Sequence, residues 1–259
     1  MPSISDPNLF EAVYLATKRS LSRGNFPNRW VARGNGLVRL VDKQYLTTYR
    51  EFDASKVVDC LRVWGTDSNH RFSGSAPLGI GSSGVQHGAV YFSTQHASML
   101  NEMHHYAKQS SKFARNLKQR GVIESEIVKP LTVLDLSRHS GQTLKYLDSL
   151  GQDADVKRAL ASGPFANSGL TLTQLVRHTN DYSAARAIGL AVGDDRSLDG
   201  ITVETARPSV RDGGESGDNV VLYGPKGEVV SRRIEPQRVI LFDRNVDKNS
   251  VEMIQHSLG

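Results

Sequence analysis

A handful of polar side chains stand where the surrounding residues are apolar, and they are the ones that could do chemistry. Arg62 lies inside the run Val57-Val58-Asp59-Cys60-Leu61-Arg62-Val63-Trp64, and Arg71-Phe72 opens a long Gly/Ser stretch. Tyr91 and Ser93 fall within Ala89-Val90-Tyr91-Phe92-Ser93, and Glu102 flanks the stripe made by Leu100 and Met103. Much further along come Arg207-Pro208-Ser209-Val210 and Asp218-Asn219-Val220-Val221-Leu222-Tyr223. An arginine in an apolar strand needs an anionic partner, because an unpaired buried charge is strongly disfavoured. One reading supplies it internally, as an Arg62–Glu102 ion pair. The other turns Arg62 and Arg71 toward a ligand's phosphates, whose oxygens a planar guanidinium grips two at a time. On the residues alone the two readings weigh evenly.

Other motifs fail on inspection. Gly79-Ile80-Gly81-Ser82-Ser83-Gly84 spells G-x-G-x-x-G, but it lies in a loop that enters a strand, so no helix N-terminus follows to receive a pyrophosphate. A flexible loop over a site fits it better, and the absence of a following Lys removes the P-loop. His96, His104 and His105 lack the three- or four-residue spacing of helical metal ligands, so no metal is expected. There is no G-x-S-x-G elbow.

The elements that must position these residues follow from spacing and caps. Asp6-Pro7 suits an N-cap and first turn, Gly24 a stop, and Phe10, Val13, Tyr14, Thr17 and Leu21 one face, which predicts a helix over about 7–23. Residues 25–56 read as irregular, and 57–64 as a buried strand. A loop over 65–88, a strand at 89–93 and a helix over 94–108 come next. Then follow a strand at 131–136, helices at about 141–150 and 171–192, and strands at 201–205, 219–223 and 238–242. The order neither alternates nor segregates, which makes the fold class α+β with mixed or antiparallel sheets and flanking helices.

Composition excludes several classes. With 38% apolar and 23% charged residues in 259, the chain is an ordinary globular protein able to bury a large core. A single cysteine, Cys60, rules out a disulfide framework and a Cys-rich zinc site. No apolar run approaches a membrane span and no Sec signal peptide is legible, so no membrane partner is expected. The net charge of +5 is confined to residues 1–50, where 8 bases face 3 acids. Aromatics interleave with these bases but match no nucleic-acid module, so a nucleic-acid partner is disfavoured. Residues 1–55 are taken as a basic N-terminal extension and 56–259 as the domain that bears the candidate chemistry.

The order of these motifs, Leu61-Arg62-Val63-Trp64, Arg71-Phe72, Gly88-Ala89-Val90-Tyr91-Phe92-Ser93-Thr94 and Leu100-Asn101-Glu102-Met103-His104-His105-Tyr106, resembles the RES domain. That family is named for its Arg, Glu and Ser and includes toxins of bacterial toxin–antitoxin pairs. On this resemblance the three are Arg62, Glu102 and Ser209. The stretch from Gly189 to Asp194 resembles the family's Ile-Gly-Asp segment, and Asn219–Tyr223 its following strand. The likeness spans residues 57–225, about two thirds of the chain. The sequence departs from the family at Asn69-His70-Arg71-Phe72-Ser73, where a Gly-Gly-Arg-Trp/Phe-Asn turn is usual, and in a longer loop before Tyr91.

The resemblance implies an ADP-ribosyltransferase-like fold and destruction of NAD+ at the nicotinamide–ribose bond, with NAD+ as substrate and no cofactor. Glu102 would then stabilise the oxocarbenium-like ribose or steer the nucleophile, and Arg62 and Arg71 would neutralise the pyrophosphate. Tyr91 would stack on a ring of the dinucleotide beside Ser93, and Ser209 would anchor ribose or phosphate. Asn219 either orders the Ser209 loop or is structural. Water or phosphate as nucleophile makes a glycohydrolase or phosphorylase; a macromolecular group makes an ADP-ribosyltransferase; a dead module would only bind. A cognate antitoxin or immunity protein is the implied partner, a homodimer is left open, and the implied location is the bacterial cytoplasm of producer or target.

Overall fold

The computed structural model describes residues 6–63, 72–73, 87–96, 99, 119–137, 141–177, 181–195, 197–204, 217–225, 227–228, 230–244 and 251–258. Helix α1 (Pro7–Ser22) begins as the sequence predicts, with the Asp6 carboxylate accepting from the Leu9 N–H at 3.0 Å and Pro7 in the first turn. Gly24, at φ +69°, takes the left-handed conformation just beyond its end.

Among the described residues nine strands form one sheet. They are β1 (Asn28–Val31), β2 (Gly36–Asp42), β5 (His87–Ser93), β6 (Arg120–Ile127), β7 (Leu131–Leu136), β8 (Gly200–Glu204), β9 (Asp218–Pro225), β10 (Ile234–Arg244) and β11 (Val251–Ser257). Between β2 and β5 in the chain, β3 (Thr47–Thr48) and β4 (Glu51–Phe52) make a separate hairpin. The sheet order is β1-β7-β8-β9-β5-β2-β6-β10-β11. Every pairing is antiparallel except β7 with β8. A parallel pair needs a long crossover. Here it carries α3 (Gly141–Gly151), α4 (Ala154–Ser162), α5 (Leu172–Arg177) and α6 (Ser183–Gly193), after α2 (Val57–Cys60) earlier in the chain. The expected α+β class with a large mixed sheet and flanking helices is therefore what the chain adopts.

Side-chain alternation divides the core between the two faces of the sheet. Leu134 and Leu136 of β7 and Ile201 and Val203 of β8 join α1 and the crossover helices in one cluster. Leu131 and Val133 of β7, Val90 and Phe92 of β5, and Val220 and Leu222 of β9 join Leu37, Leu61 and Val63 in another. Helix α6 is buried almost all round, and its Ala184, Ala185, Ala187 and Ala191 keep it slim enough to lie under α1. Among the described residues no helix is long and apolar enough to cross a membrane.

Several elements differ from the reading of the sequence. Residues 57–64 do not form a strand: the Asp53 carboxylate caps the turn Ala54–Lys56 by accepting from the Ser55 N–H at 3.0 Å, and the chain runs on into α2. Val57, Cys60, Leu61 and Val63 are the buried residues there, the first three at a helical spacing that an unbroken apolar run conceals. The stretch 25–56 is not irregular. It supplies β1 and β2, and β2 pairs with β6 through all seven of its residues, from Gly36↔Glu126 to Asp42↔Arg120. The single helix expected at 171–192 is two, α5 and α6, with 178–180 outside the described residues. The sequence reading passed over α4, β6 and β11. The loop at 65–88 and the helix at 94–108 fall mostly outside the described residues, whereas the strands at 89–93, 131–136, 201–205, 219–223 and 238–242 are present with small changes at their ends.

Candidate functional site

Strand β5 sits between β9 and β2, and its pairing with β9 is continuous from His87↔Pro225 to Ser93↔Asn219. Because strand side chains alternate, Ala89, Tyr91 and Ser93 share a face with Asn219, Val221 and Tyr223. At one end of this face the Ser93 hydroxyl donates to the Asn219 side-chain oxygen at 2.7 Å. Next to that pair Thr94 and Asp218 exchange hydrogen bonds, the Thr94 N–H donating to the Asp218 carbonyl at 2.9 Å, and Arg29 of β1 forms an ion pair with the Asp218 carboxylate.

At the other end two phenols converge on one residue. The Phe72 N–H donates to the Tyr91 hydroxyl at 3.1 Å, which donates in turn to Ser73 Oγ at 3.2 Å, while the Tyr223 hydroxyl donates to the Phe72 carbonyl at 2.9 Å. The Phe72 ring is buried with the helices. Helix α6 closes over this point at Gly189, where a Cβ would lie 2.1 Å from the Phe72 carbonyl oxygen and 2.7 Å from the Tyr223 hydroxyl. One turn earlier on α6, Arg186 lies 5.5 Å from the centre of the Tyr182 ring and is itself buried. Burial holds both phenols well above the ordinary tyrosine value, against the hydrogen bonds shared with Ser73 and Phe72 and the Arg186 charge, which work to lower Tyr91. Burial also lowers the pKa of Arg186. The two tyrosines are therefore neutral donors and acceptors at any ordinary pH.

The predicted residues sort as follows. Tyr91, Ser93 and Asn219 are brought together. Arg62 is not inside a strand: it follows α2, its side chain is 43% exposed, and its Nε donates to the Asp59 carboxylate at 2.6 Å while Nη1 donates to the Gly227 carbonyl at 3.0 Å. Its anionic partner is thus three residues back in the chain. Among the described residues no hydrogen bond or ion pair joins Arg62 to Tyr91, Ser93 or Asn219. Glu102, Ser209 and Arg71 lie outside the described residues, as do His104 and His105. His96 pairs with Glu124 at 2.7 Å. Burial works to raise the Glu124 pKa, but hydrogen bonds from Arg238 and His96 outweigh it and hold the carboxyl low.

The arginine set in apolar surroundings is Arg39, which sequence reasoning counted only as part of a basic stretch. Its Nη1 donates to the Tyr91 carbonyl at 3.0 Å, its Nε has no partner, and burial lowers its pKa to about 10. The cause is the sheet itself: β2 and β5 are joined only at Val38↔Ser93, so beyond that pair a strand carbonyl of β5 meets a side chain. Arg39 carried a signal, the alternation Leu37, Arg39, Val41, but its charge masked the strand. Tyr223, Phe72 and Gly189 left no signal beyond their motifs, because the contact joining them spans 151 residues.

No family model matches this chain, and no curated protein does. Among solved structures it is similar to a chain of the M. tuberculosis MbcT–MbcA toxin–antitoxin complex, with a TM-score of 0.50 and 15% identity over 89% of this chain and 92% of that chain. At that identity the likeness is one of fold.

Proposed function

We propose that this protein is a toxin that consumes NAD+ by cleaving the bond between nicotinamide and ribose. The observation that carries the reading is a coincidence. The motif order resembles RES toxins, and the fold, over nearly the whole chain, is similar to one found in a toxin–antitoxin complex. The two likenesses rest on different properties of the chain, short motifs in one case and backbone path in the other.

Nicotinamide leaves as a neutral base from a cationic ring, so the reaction needs no strong general acid. It needs stabilisation of the positive charge that builds on the ribose, and a carboxylate is suited to that. Glu102 has this role in the proposal, Arg71 and Arg62 bind the pyrophosphate, and Ser209 anchors ribose or phosphate. Of these, the exposed guanidinium of Arg62 would have to leave or share Asp59 to meet a phosphate. The Ser93–Asn219 pair offers further polar atoms beside Tyr91. Water or phosphate is the acceptor in this reading; the second reading, ADP-ribosyl transfer to a macromolecule, uses the same residues. A cognate antitoxin that restrains the enzyme in its own cell belongs to the proposal, in keeping with a fold similar to one from a complex of that kind.

Purified protein incubated with NAD+ alone, followed by nicotinamide release, tests it directly. Release without added macromolecule supports the hydrolase or phosphorylase. Release only with a protein or nucleic-acid acceptor supports the transferase, and NAD+ binding without release supports an inactive module. Glu102→Gln should stay folded and lose at least 100-fold in turnover, roughly the scale of one removed charge-stabilising group; parental toxicity in that variant would remove Glu102 from the site.

A further inference from the structure

Both backbone polar groups of Phe72 are met by side chains. The Tyr91 hydroxyl takes its N–H, the Tyr223 hydroxyl takes its carbonyl, and the two tyrosines stand on adjacent strands at diagonal positions of one ladder. Core tyrosines usually find a partner for their hydroxyl wherever one is in reach. Two of them meeting on one residue is a more specific arrangement, and it is completed from the opposite side by a residue with no side chain at all. Any side chain at Gly189 would strike the Phe72 carbonyl. The Tyr91 hydroxyl is further committed to Ser73, so both of its hydrogen-bonding capacities are used within the protein.

We propose that Tyr223, with Tyr91 and Gly189, is a positioning residue: the three form a clamp that fixes the Phe72–Ser73 backbone against β5 and β9. Tyr91 accordingly acts through the backbone it holds and is not a ring on which the substrate stacks. Arg71 is the residue that precedes Phe72 in the sequence, so the clamp acts on the backbone next to it. The substrate consequence rests on the NAD+-cleaving reading above. In that reading Arg71 binds the pyrophosphate, so a clamp on the adjoining Phe72 backbone affects affinity for ligands that carry the pyrophosphate and leaves nicotinamide affinity alone.

Tyr223→Phe removes one hydroxyl and keeps the ring in the core, and it is the variant of choice. Hydrogen exchange at the Phe72 amide should accelerate about tenfold, the size expected for one net hydrogen bond lost from a local opening reaction. The KM for NAD+ and the inhibition constant of ADP-ribose should each rise about tenfold, with kcat within twofold and the inhibition constant of nicotinamide unchanged. Tyr91→Phe should accelerate the same amide, since it loses its acceptor. A core residue without a positioning role would lower the melting temperature while leaving the ratio between these inhibition constants as in the parent. That outcome, or an unchanged Phe72 exchange rate, overturns the proposal. If the parent protein releases no nicotinamide, the NAD+ reading fails, and the exchange rate at Phe72 alone decides the clamp: about tenfold faster in Tyr223→Phe upholds it, and parental exchange overturns it.

Discussion

The two flanks of β5 are held by different means. Toward β9 the strand is zipped through seven consecutive pairs, with Ser93–Asn219 and the two clamp tyrosines ordered by that register. Toward β2 a single pair, Val38↔Ser93, joins the strands, and the Arg39 guanidinium reaches across to the Tyr91 carbonyl. A backbone ladder satisfies its polar groups at no cost in charge, whereas a guanidinium brings a positive charge into a dry place. Burial of the Arg39 guanidinium lowers its pKa accordingly. The comparison teaches that the side of β5 bearing the candidate site is set by ladder register, and that the side bearing the N-terminal strands tolerates a break.

The most drastic way to test the weaker flank is to remove it. Deleting residues 1–50 takes away α1, β1 and β2, which strips the helix layer of Leu9, Phe10 and Val13 and bares the edges of β5 and β6. Loss of soluble folded protein is expected, read by circular dichroism and gel filtration. A soluble, folded remainder with NAD+ turnover would instead make residues 1–55 the detachable extension that the charge distribution suggests.

Raising the pH probes both flanks at once. Burial raises the phenols of Tyr14, Tyr91, Tyr146 and Tyr223 above their ordinary value, with Asp194 adding to the effect at Tyr14. An acid whose folded pKa exceeds its unfolded one keeps its proton in the native state after the unfolded chain has lost it. Stability from these groups is therefore complete below pH 10 and falls as the pH rises beyond it. Arg39 acts in the opposite sense: its folded pKa of about 10 lies below the ordinary 12.5, so its penalty is full below pH 10 and is relieved above. Four groups outweigh one, and unfolding should accompany tyrosinate formation above pH 10. Ionisation of all 8 tyrosines near pH 10 with the fold intact would show that the phenols of β5 and β9 are not sequestered.

Smaller effects separate ladder from guanidinium. Ser93→Ala loses one hydrogen bond on the zipped flank and should cost about 1 kcal/mol by thermal or urea denaturation. Arg39→Met should cost less still. It removes the hydrogen bond to the Tyr91 carbonyl, at about 1–3 kcal/mol, and it relieves a desolvated charge worth about 3 kcal/mol on the scale of its pKa shift. A loss above about 3 kcal/mol would show that the guanidinium holds more than that carbonyl.

What the sequence made legible was local. The cap and first turn at Asp6-Pro7 and the β-rich runs at 89–93 and 131–136 predict elements that are present, because caps and short buried strands are written in adjacent residues. Val57 to Trp64 misled because a short apolar run has no period of its own, and Asp53, which decides for helix, lies outside the run. Arg62 was read as buried for the same reason. Strand β2 was missed because Arg39 breaks its apolar face, and the partner that makes it a strand, β6, begins at Arg120. Of the candidate site, the sequence singles out Tyr91, Ser93 and Asn219, which share one face of β5 and β9, yet what surrounds Tyr91 comes from β9, α6 and Phe72, a convergence that no spacing records.

The sheet order also has a consequence for how the chain is made. During synthesis β2 emerges roughly 80 residues ahead of β6, its full-length partner. At ordinary translation speeds that leaves it unpaired for about 4–16 s. β5 waits longer for β9, and any nascent chain that stops before Tyr223 lacks one jaw of the Phe72 clamp. The ribosome therefore releases the candidate site in its finished geometry only after Tyr223 has emerged, so that chains stopped before that point are delivered without it.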